Sequence, residues 1–200
     1  GRRIVFQSDR GGNWDIWSVG LDGSGLTQLT RSSKGAVDPI VSPDGRRISA
    51  SDGEDLYLFE LDEKGGLARE RKLPRPPGAE VPVSAGWARN GSALLAVGLR
   101  KDLTTTGMAL FSLPENRWEP LPTIPNLVGN AAAVTGRGDR LLILTSVGLE
   151  WRPLAGTSTR VIAAHPRDAL YQTVRTNAEG KEIILVRADG NADIWMATPP

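Results

Sequence analysis

One motif recurs along this 200-residue chain at a near-constant interval: small, polar or acidic residues, a Gly, two mostly polar residues, and a short apolar run. It reads Ser42-Pro43-Asp44-Gly45-Arg46-Arg47-Ile48, then Arg89-Asn90-Gly91-Ser92-Ala93-Leu94, then Arg137-Gly138-Asp139-Arg140-Leu141-Leu142, then Ala178-Glu179-Gly180-Lys181-Glu182-Ile183-Ile184. The chain opens inside a fifth copy, Gly1-Arg2-Arg3-Ile4-Val5. From Gly to Gly the spacing is 44, 46, 47 and 42 residues. A unit of this length cannot bury an apolar face by itself and must stack on its neighbours. The period is that of a four-stranded propeller blade.

Local patterning places four strands in each unit. The run after each Gly is rich in β-formers: Ile4 to Phe6, Ile48 to Ala50, Leu94 to Val97, Leu141 to Thr145 and Ile183 to Val186. Turns such as Ser8-Asp9-Arg10-Gly11-Gly12-Asn13, Ser51-Asp52-Gly53-Glu54 and Ala188-Asp189-Gly190-Asn191 follow, rich in residues that accept positive φ or bond their own backbone. The next strand alternates apolar and polar residues, as in Asp15-Ile16-Trp17-Ser18-Val19, Asp55-Leu56-Tyr57-Leu58-Phe59 and Asp193-Ile194-Trp195-Met196. Outer strands are expected at Leu26 to Thr30, Arg69 to Leu73, Trp118 to Leu121 and Thr159 to Ile162, where Pro and charge suit an edge. Innermost strands are expected at Val37 to Val41, Val83 to Trp87, Ala131 to Val134 and Tyr171 to Thr176. The expected fold is therefore all-β, a β-propeller of about five four-stranded blades at 1–30, 36–73, 81–122, 130–163 and 170–200. The first blade lacks its inner strand and the last its outer one, so the chain reads as part of a six-bladed or larger propeller.

Composition agrees with one domain, since 40% of the residues are hydrophobic. The 24 basic and 23 acidic residues nearly cancel, which removes a bulk electrostatic argument for nucleic acid or an anionic membrane. No apolar run approaches the roughly 20 residues of a spanning helix, so direct membrane insertion of this segment is not expected. Because Gly1 falls inside a repeat, the natural N-terminus and any targeting segment are expected upstream of it. With no Cys, disulfides, zinc-thiolate sites and cysteine nucleophiles are excluded together.

These residues resemble a known family. Ile4 to Thr30, with Ser8-Asp9-Arg10, Asp15-Ile16-Trp17 and Leu29-Thr30, is similar to the repeat of the TolB-like, WD-like β-propellers, and Ser42-Pro43-Asp44-Gly45 is their most recognisable tetrapeptide. Trp87 falls where such repeats often carry a Trp ahead of the motif. In the middle blades the motif departs, with Asn90 and then Arg137 in the place of Asp44. The resemblance implies a propeller that binds proteins or peptides, and a bacterial, periplasmic or otherwise extracytoplasmic setting.

Catalysis finds little support in the residues. A Ser-His-Asp apparatus needs an imidazole, and the single His, His165, stands beside Pro166 in a loop with no Gly-x-Ser-x-Gly elbow anywhere. A hard cation at the axis needs about six oxygen ligands. The innermost strands supply Asp38 and Arg175 and otherwise small or apolar groups. Neither Asp52-Gly53-Glu54-Asp55 nor Asp189-Gly190-Asn191-Ala192-Asp193 has the calcium-loop pattern, so each Asp is read as fixing its own turn. No catalytic residue, metal or cofactor is therefore assigned. Trp17, Trp151 and Trp195 recur in the third strand and are read as core, while Trp14 and Trp118 lie off that pattern.

Loops from one blade's outer strand to the next blade's inner strand share a face with the hairpin turns between second and third strands. That face carries Arg31, Lys34, Arg75, His165 and Arg167 from the first set and Arg10, Arg100, Lys101 and Arg187 from the second, among Asp9, Asp52, Glu54 and Asp102. Arg31, Arg75, Arg100, Arg167 and Arg187, with axial Asp38 and Arg175, are the candidate partner-binding residues, because Arg grips carboxylates bidentately. An ordinary solvated surface is the competing reading. Three functions remain open: a non-enzymatic interaction or sensory platform for a protein or peptide, the accessory propeller of a prolyl-oligopeptidase-type hydrolase whose catalytic domain is elsewhere, and a small-ligand or sugar-binding propeller.

Overall fold

The computed structural model describes residues 2–102, 104–122, 124, 127–134, 139–154, 156, 158–165, 170–176, 182–188 and 192–197. Strands in them form five antiparallel sheets in chain order. The first is β1 (Arg3–Ser8), β2 (Asp15–Gly20) and β3 (Thr27–Gln28); the second β4 (Val37–Val41), β5 (Arg47–Ser51), β6 (Leu56–Leu61) and β7 (Leu67–Lys72). The third is β8 (Val81–Ala88), β9 (Ala93–Leu99), β10 (Thr105–Ser112) and β11 (Arg117–Pro120), and the fourth β12 (Leu127–Val134), β13 (Arg140–Thr145), β14 (Gly148–Pro153) and β15 (Arg160–Ala164). The fifth is β16 (Leu170–Thr176), β17 (Ile183–Ala188) and β18 (Ala192–Ala197). Each sheet is a simple meander, and the strand count of three, four, four, four and three is the one read from the sequence. The first outer strand is shorter than expected, two residues instead of five.

The recurring motif is the turn from the first to the second strand of a blade. In its best-formed copy the Gly45 amide donates to Ser42 O at 2.9 Å, and Gly45 takes φ 71°, a backbone region that a Cβ disfavours. Ser42 is buried, and its Oγ accepts the Arg47 amide at 2.9 Å while donating to Asp44 Oδ1 at 2.5 Å. Asp44 Oδ1 also accepts the Arg46 amide at 3.0 Å. Ser and Asp thus take up amides that the tight turn leaves without backbone partners. Arg47 Nη1 then donates to Gly91 O at 2.8 Å, which ties this turn to the same turn of the next blade. The Gly138 and Gly180 copies lie outside the described residues.

Strand alternation decides which blade each side chain faces. The first and third residues after the turn face the preceding sheet: Ile48 and Ala50 pack with Val5, Ile16, Leu29 and Ala36. Leu94 and Ala96 likewise pack with Leu56, Leu58 and Leu73. Leu141 and Ile143 join Leu95, Val97 and Leu110, and Ile183 and Leu185 join Ala133, Leu142 and Leu144. Each of the four buried clusters is therefore one boundary between consecutive sheets. The matching face of the first sheet carries Ile4, which is 50% exposed where its counterpart Ile48 is 1% exposed.

The three tryptophans read as equivalent core residues are not equivalent. Trp17 pairs with Phe6 and Trp195 with Leu185, corresponding register positions of their sheets. Trp151 pairs with Leu142, one register position away, and packs toward the fifth sheet. Trp17 is only half-buried; its Nε1 donates to Ser8 O at 3.2 Å, and the Arg10 guanidinium lies 5.3 Å from its ring centre. Trp151 is half-buried too, under Arg140, and the Trp195 side chain lies outside the described residues. Among the described residues the buried indole is Trp87, whose Nε1 donates across the boundary to Ile40 O at 2.9 Å.

Candidate functional site

The two sets of loops do meet on one face. Asn13 Nδ2 reaches Ser32 O at 3.4 Å, and the Lys34 ammonium pairs with Glu54 at 3.0 Å, joining the connection after the first sheet to the turn of the second. That Glu54 contact raises the Lys34 pKa. Arg75 donates through Nη2 to Asp55 Oδ1 and Glu54 O, both at 3.0 Å, and through Nη1 to Glu80 O at 3.3 Å. Glu80 Oε2 accepts the Lys101 amide at 3.1 Å, which carries the contacts on to the third sheet. Lys72 completes the cluster at 2.5 Å from Asp55 Oδ2.

Asp55 is the centre of this clasp. Its side chain is 8% exposed, and the hydrogen bond from Lys72, followed by that from Arg75, holds its carboxyl below the ordinary carboxylate value against the opposing effect of burial. Asp52 beside it is subject to a raising effect of burial, which the amides of Glu54 and Asp55 and the Tyr57 hydroxyl outweigh. Its Oδ1 accepts those two amides at 2.9 and 2.8 Å, and its Oδ2 the Tyr57 hydroxyl at 3.1 Å, so its oxygens are occupied within the turn. Among the described residues no group of three or more His, Asp or Glu is placed to hold a metal ion.

A second cluster lies on the innermost strands. Asp38 has φ 54°, uncommon for a residue other than Gly and more so before a proline, and stands in the irregularity between Val37 and Ile40. Its amide donates to Gln7 Oε1 at 2.6 Å, and its side chain is exposed. Arg175 on β16 donates to Val174 O at 2.9 Å. Burial lowers the Arg175 pKa and the Asp38 charge opposes that change, so the two side chains interact electrostatically from strands of different sheets.

Comparison with known proteins places these repeats. No protein-family profile matches the chain. A TolB homolog of Chlorobium luteolum is 31% identical over 106 residues, which are 51% of this chain and 23% of that protein. The putative TolB of Agrobacterium tumefaciens superposes with a TM-score of 0.73 at 14% identity, over 99% of this chain and 73% of that one. The chain is a β-propeller whose repeats are similar to those of TolB. An oligogalacturonate lyase solved in complex with manganese has the same fold, with a TM-score of 0.67, 14% identity and coverage of 99% of this chain and 60% of that one. The matched stretch is thus less than a quarter of the length of the curated TolB homolog.

Within this propeller the candidate residues separate into three groups. Arg31 is exposed and makes no hydrogen bond or ion pair among the described residues; Arg100 is exposed, 3.5 Å from Thr104 Oγ1 within its own turn. Arg75 is committed to the clasp, and Asp38 with Arg175 forms the axial cluster. Arg167 lies outside the described residues, and for Arg187 only the strand is described, in register with Tyr171 and Asp193. His165 donates from Nε2 to Thr145 O at 2.8 Å. Lys72, Glu80 and Gln7 complete the two clusters without having been singled out. The signal for Lys72 was present: it occupies the register position of Gln28, opposite the aromatic residue two places after the strand-opening Asp.

Proposed function

We propose that this chain is a non-enzymatic, extracytoplasmic interaction platform whose partner is a protein or peptide segment bearing carboxylates. The observation that carries the reading is the axial cluster. Asp38 is held in a left-handed conformation before Pro39, with its side chain exposed, and its charge reaches a desolvated guanidinium, Arg175, on the innermost strand of another sheet. Local strain of this kind persists where the surrounding structure fixes it, and it gathers at binding sites. Exposed Arg31 and Arg100 supply fork-shaped donors for partner carboxylates on the loop face. His165 hydrogen-bonds to a backbone carbonyl through Nε2, which gives no support to a general-base role.

The test is a crosslinking pull-down from host extract with wild type and the Arg31→Glu, Arg175→Gln double variant, with captured proteins identified by mass spectrometry. A partner held by the wild type and lost by a correctly folded double variant is the expected result. Equal capture by both rejects this face as the binding surface.

A further inference from the structure

The motif turn of the third sheet is built differently from that of the second. Before the motif glycine the second sheet has Asp44, outside the left-handed region, whereas the third has Asn90 at φ 55° and ψ 35°. Gly91 follows at φ 86°, so two successive residues are left-handed, as in the hairpin turns for which Asn-Gly is the favoured pair. Asn90-Gly91 is the one Asn-Gly pair of the chain. The pair that suits this turn is also chemically labile, because a glycine amide carries no side chain to hinder its attack on the neighbouring carboxamide. Asn90 is exposed. Gly91 is buried against the turn of the second sheet: its O accepts Arg47 Nη1 at 2.8 Å, and a Cβ here would meet Pro43 Cδ at 3.4 Å. Ser92 O accepts the Leu113 amide at 3.0 Å, so the residues after Asn90 are held while its own side chain is open to water.

We propose that Asn90 is a site of spontaneous covalent modification, with water as the co-reactant, whose main product is an isoaspartyl link that loosens the boundary between the second and third sheets. The Gly91 nitrogen bonds to Asn90 Cγ, the Cγ–Nδ2 bond breaks, and ammonia leaves with the proton of the Gly91 amide, which gives a cyclic imide. Water then opens the imide, its hydroxyl going to one carbonyl carbon and its proton back to the Gly91 nitrogen. Opening at Cγ leaves an ordinary aspartate, the residue type of Asp44 in the sister turn. Opening at the main-chain carbonyl of residue 90 routes the chain through Cγ, inserts one methylene before Gly91 and moves the Gly91 carbonyl off the Arg47 guanidinium. At ψ 35° the Gly91 nitrogen is rotated away from the Asn90 side chain, so ring closure waits on local opening of this surface turn and the reaction marks the age of the folded protein.

The test is incubation of folded wild type and Asn90→Gly at mildly alkaline pH, with peptide mapping by mass spectrometry and detection of isoaspartate by enzymatic methylation of its carboxylate. Glycine accepts positive φ and has no carboxamide, so Asn90→Gly keeps the turn without the reactive group. Wild type is expected to show the amide-to-acid mass gain at Asn90 ahead of every other asparagine, with isoaspartate in excess of aspartate. Its isoaspartyl fraction is expected to melt roughly 2–8 °C lower, whereas fresh Asn90→Asp should melt within about 2 °C of fresh wild type. Asn90→Gly should gain no isoaspartate at this turn. Absence of conversion at Asn90 in folded wild type, conversion spread evenly over the asparagines, or an isoaspartyl fraction that melts with the unmodified protein overturns the proposal.

Discussion

Trp87 and Trp17 are the same residue type in the same repeat, yet truncation should affect them unequally. Trp87 is enclosed between two sheets, so Trp87→Ala should cost about 3–5 kcal/mol. Trp17 is half-exposed beside Arg10, and Trp17→Ala should cost about 1–3 kcal/mol. Urea melts of both variants measure the difference, and equal midpoints would contradict the packing described for the first sheet. Ser42→Ala removes the acceptor of a buried amide and should cost about 1–3 kcal/mol, whereas Ser33→Ala, at an exposed residue, should leave the melt unchanged. What a side chain meets is set by which sheet lies against it, and a third-strand Trp pattern does not contain that information. Trp151 makes the point: a shorter turn, with Thr145 opposite Gly148, moves it one register position and hence to the other face.

The strand-opening Asp residues show one element stabilised by two kinds of chemistry. Asp15 receives neutral donors, Gln28 Nε2 at 2.9 Å, Thr30 Oγ1 at 2.7 Å and the Ser32 amide at 3.1 Å. Asp55, at the same place in the second sheet, receives Lys72 and Arg75. Attraction between charges is screened strongly at 1 M salt, where the Debye length is about 3 Å, although a partly enclosed pair is screened less than an exposed one. The stability lost on Asp55→Asn should therefore shrink between 0.05 and 1 M NaCl, roughly, while that lost on Asp15→Asn stays level. Acid should act in the same direction. Since folding lowers the Asp55 pKa, its contribution is complete above the ordinary carboxylate value of 3.8 and is lost as pH falls through the lower folded value. Melts of wild type and Asp55→Asn should thus converge below pH 3.8, and curves that stay parallel there would contradict the clasp. The Asp itself was legible from the repeat. Its partners were not, because Lys72 and Arg75 look like solvated edge residues until the connection folds back over Asp55.

At the scale of the molecule, the repeat period gave the sheets and their order, since glycine turns and alternating strands are local features. The candidate surface was legible only as a face: the positions of Arg31, Arg75 and Arg100 follow from topology, but which cation is already engaged depends on contacts between blades. Burial along the strands has a dynamic counterpart. Amides of β7, an outer strand whose residues are mostly exposed, should exchange with solvent faster than those of β9, every residue of which is buried, as native-state hydrogen exchange can measure. Because each buried apolar cluster joins one sheet to the next, packing energy passes between nearest neighbours. Leu58→Ala and Leu94→Ala, which share a boundary, should couple in a double-mutant cycle, while Leu58→Ala and Ile183→Ala should add within about 0.5 kcal/mol. A lineage built on such a rule can duplicate, lose or exchange a segment that runs from one glycine turn to the next, provided only that the two flanking surfaces still match, so the heritable unit of change here is the blade and not the domain.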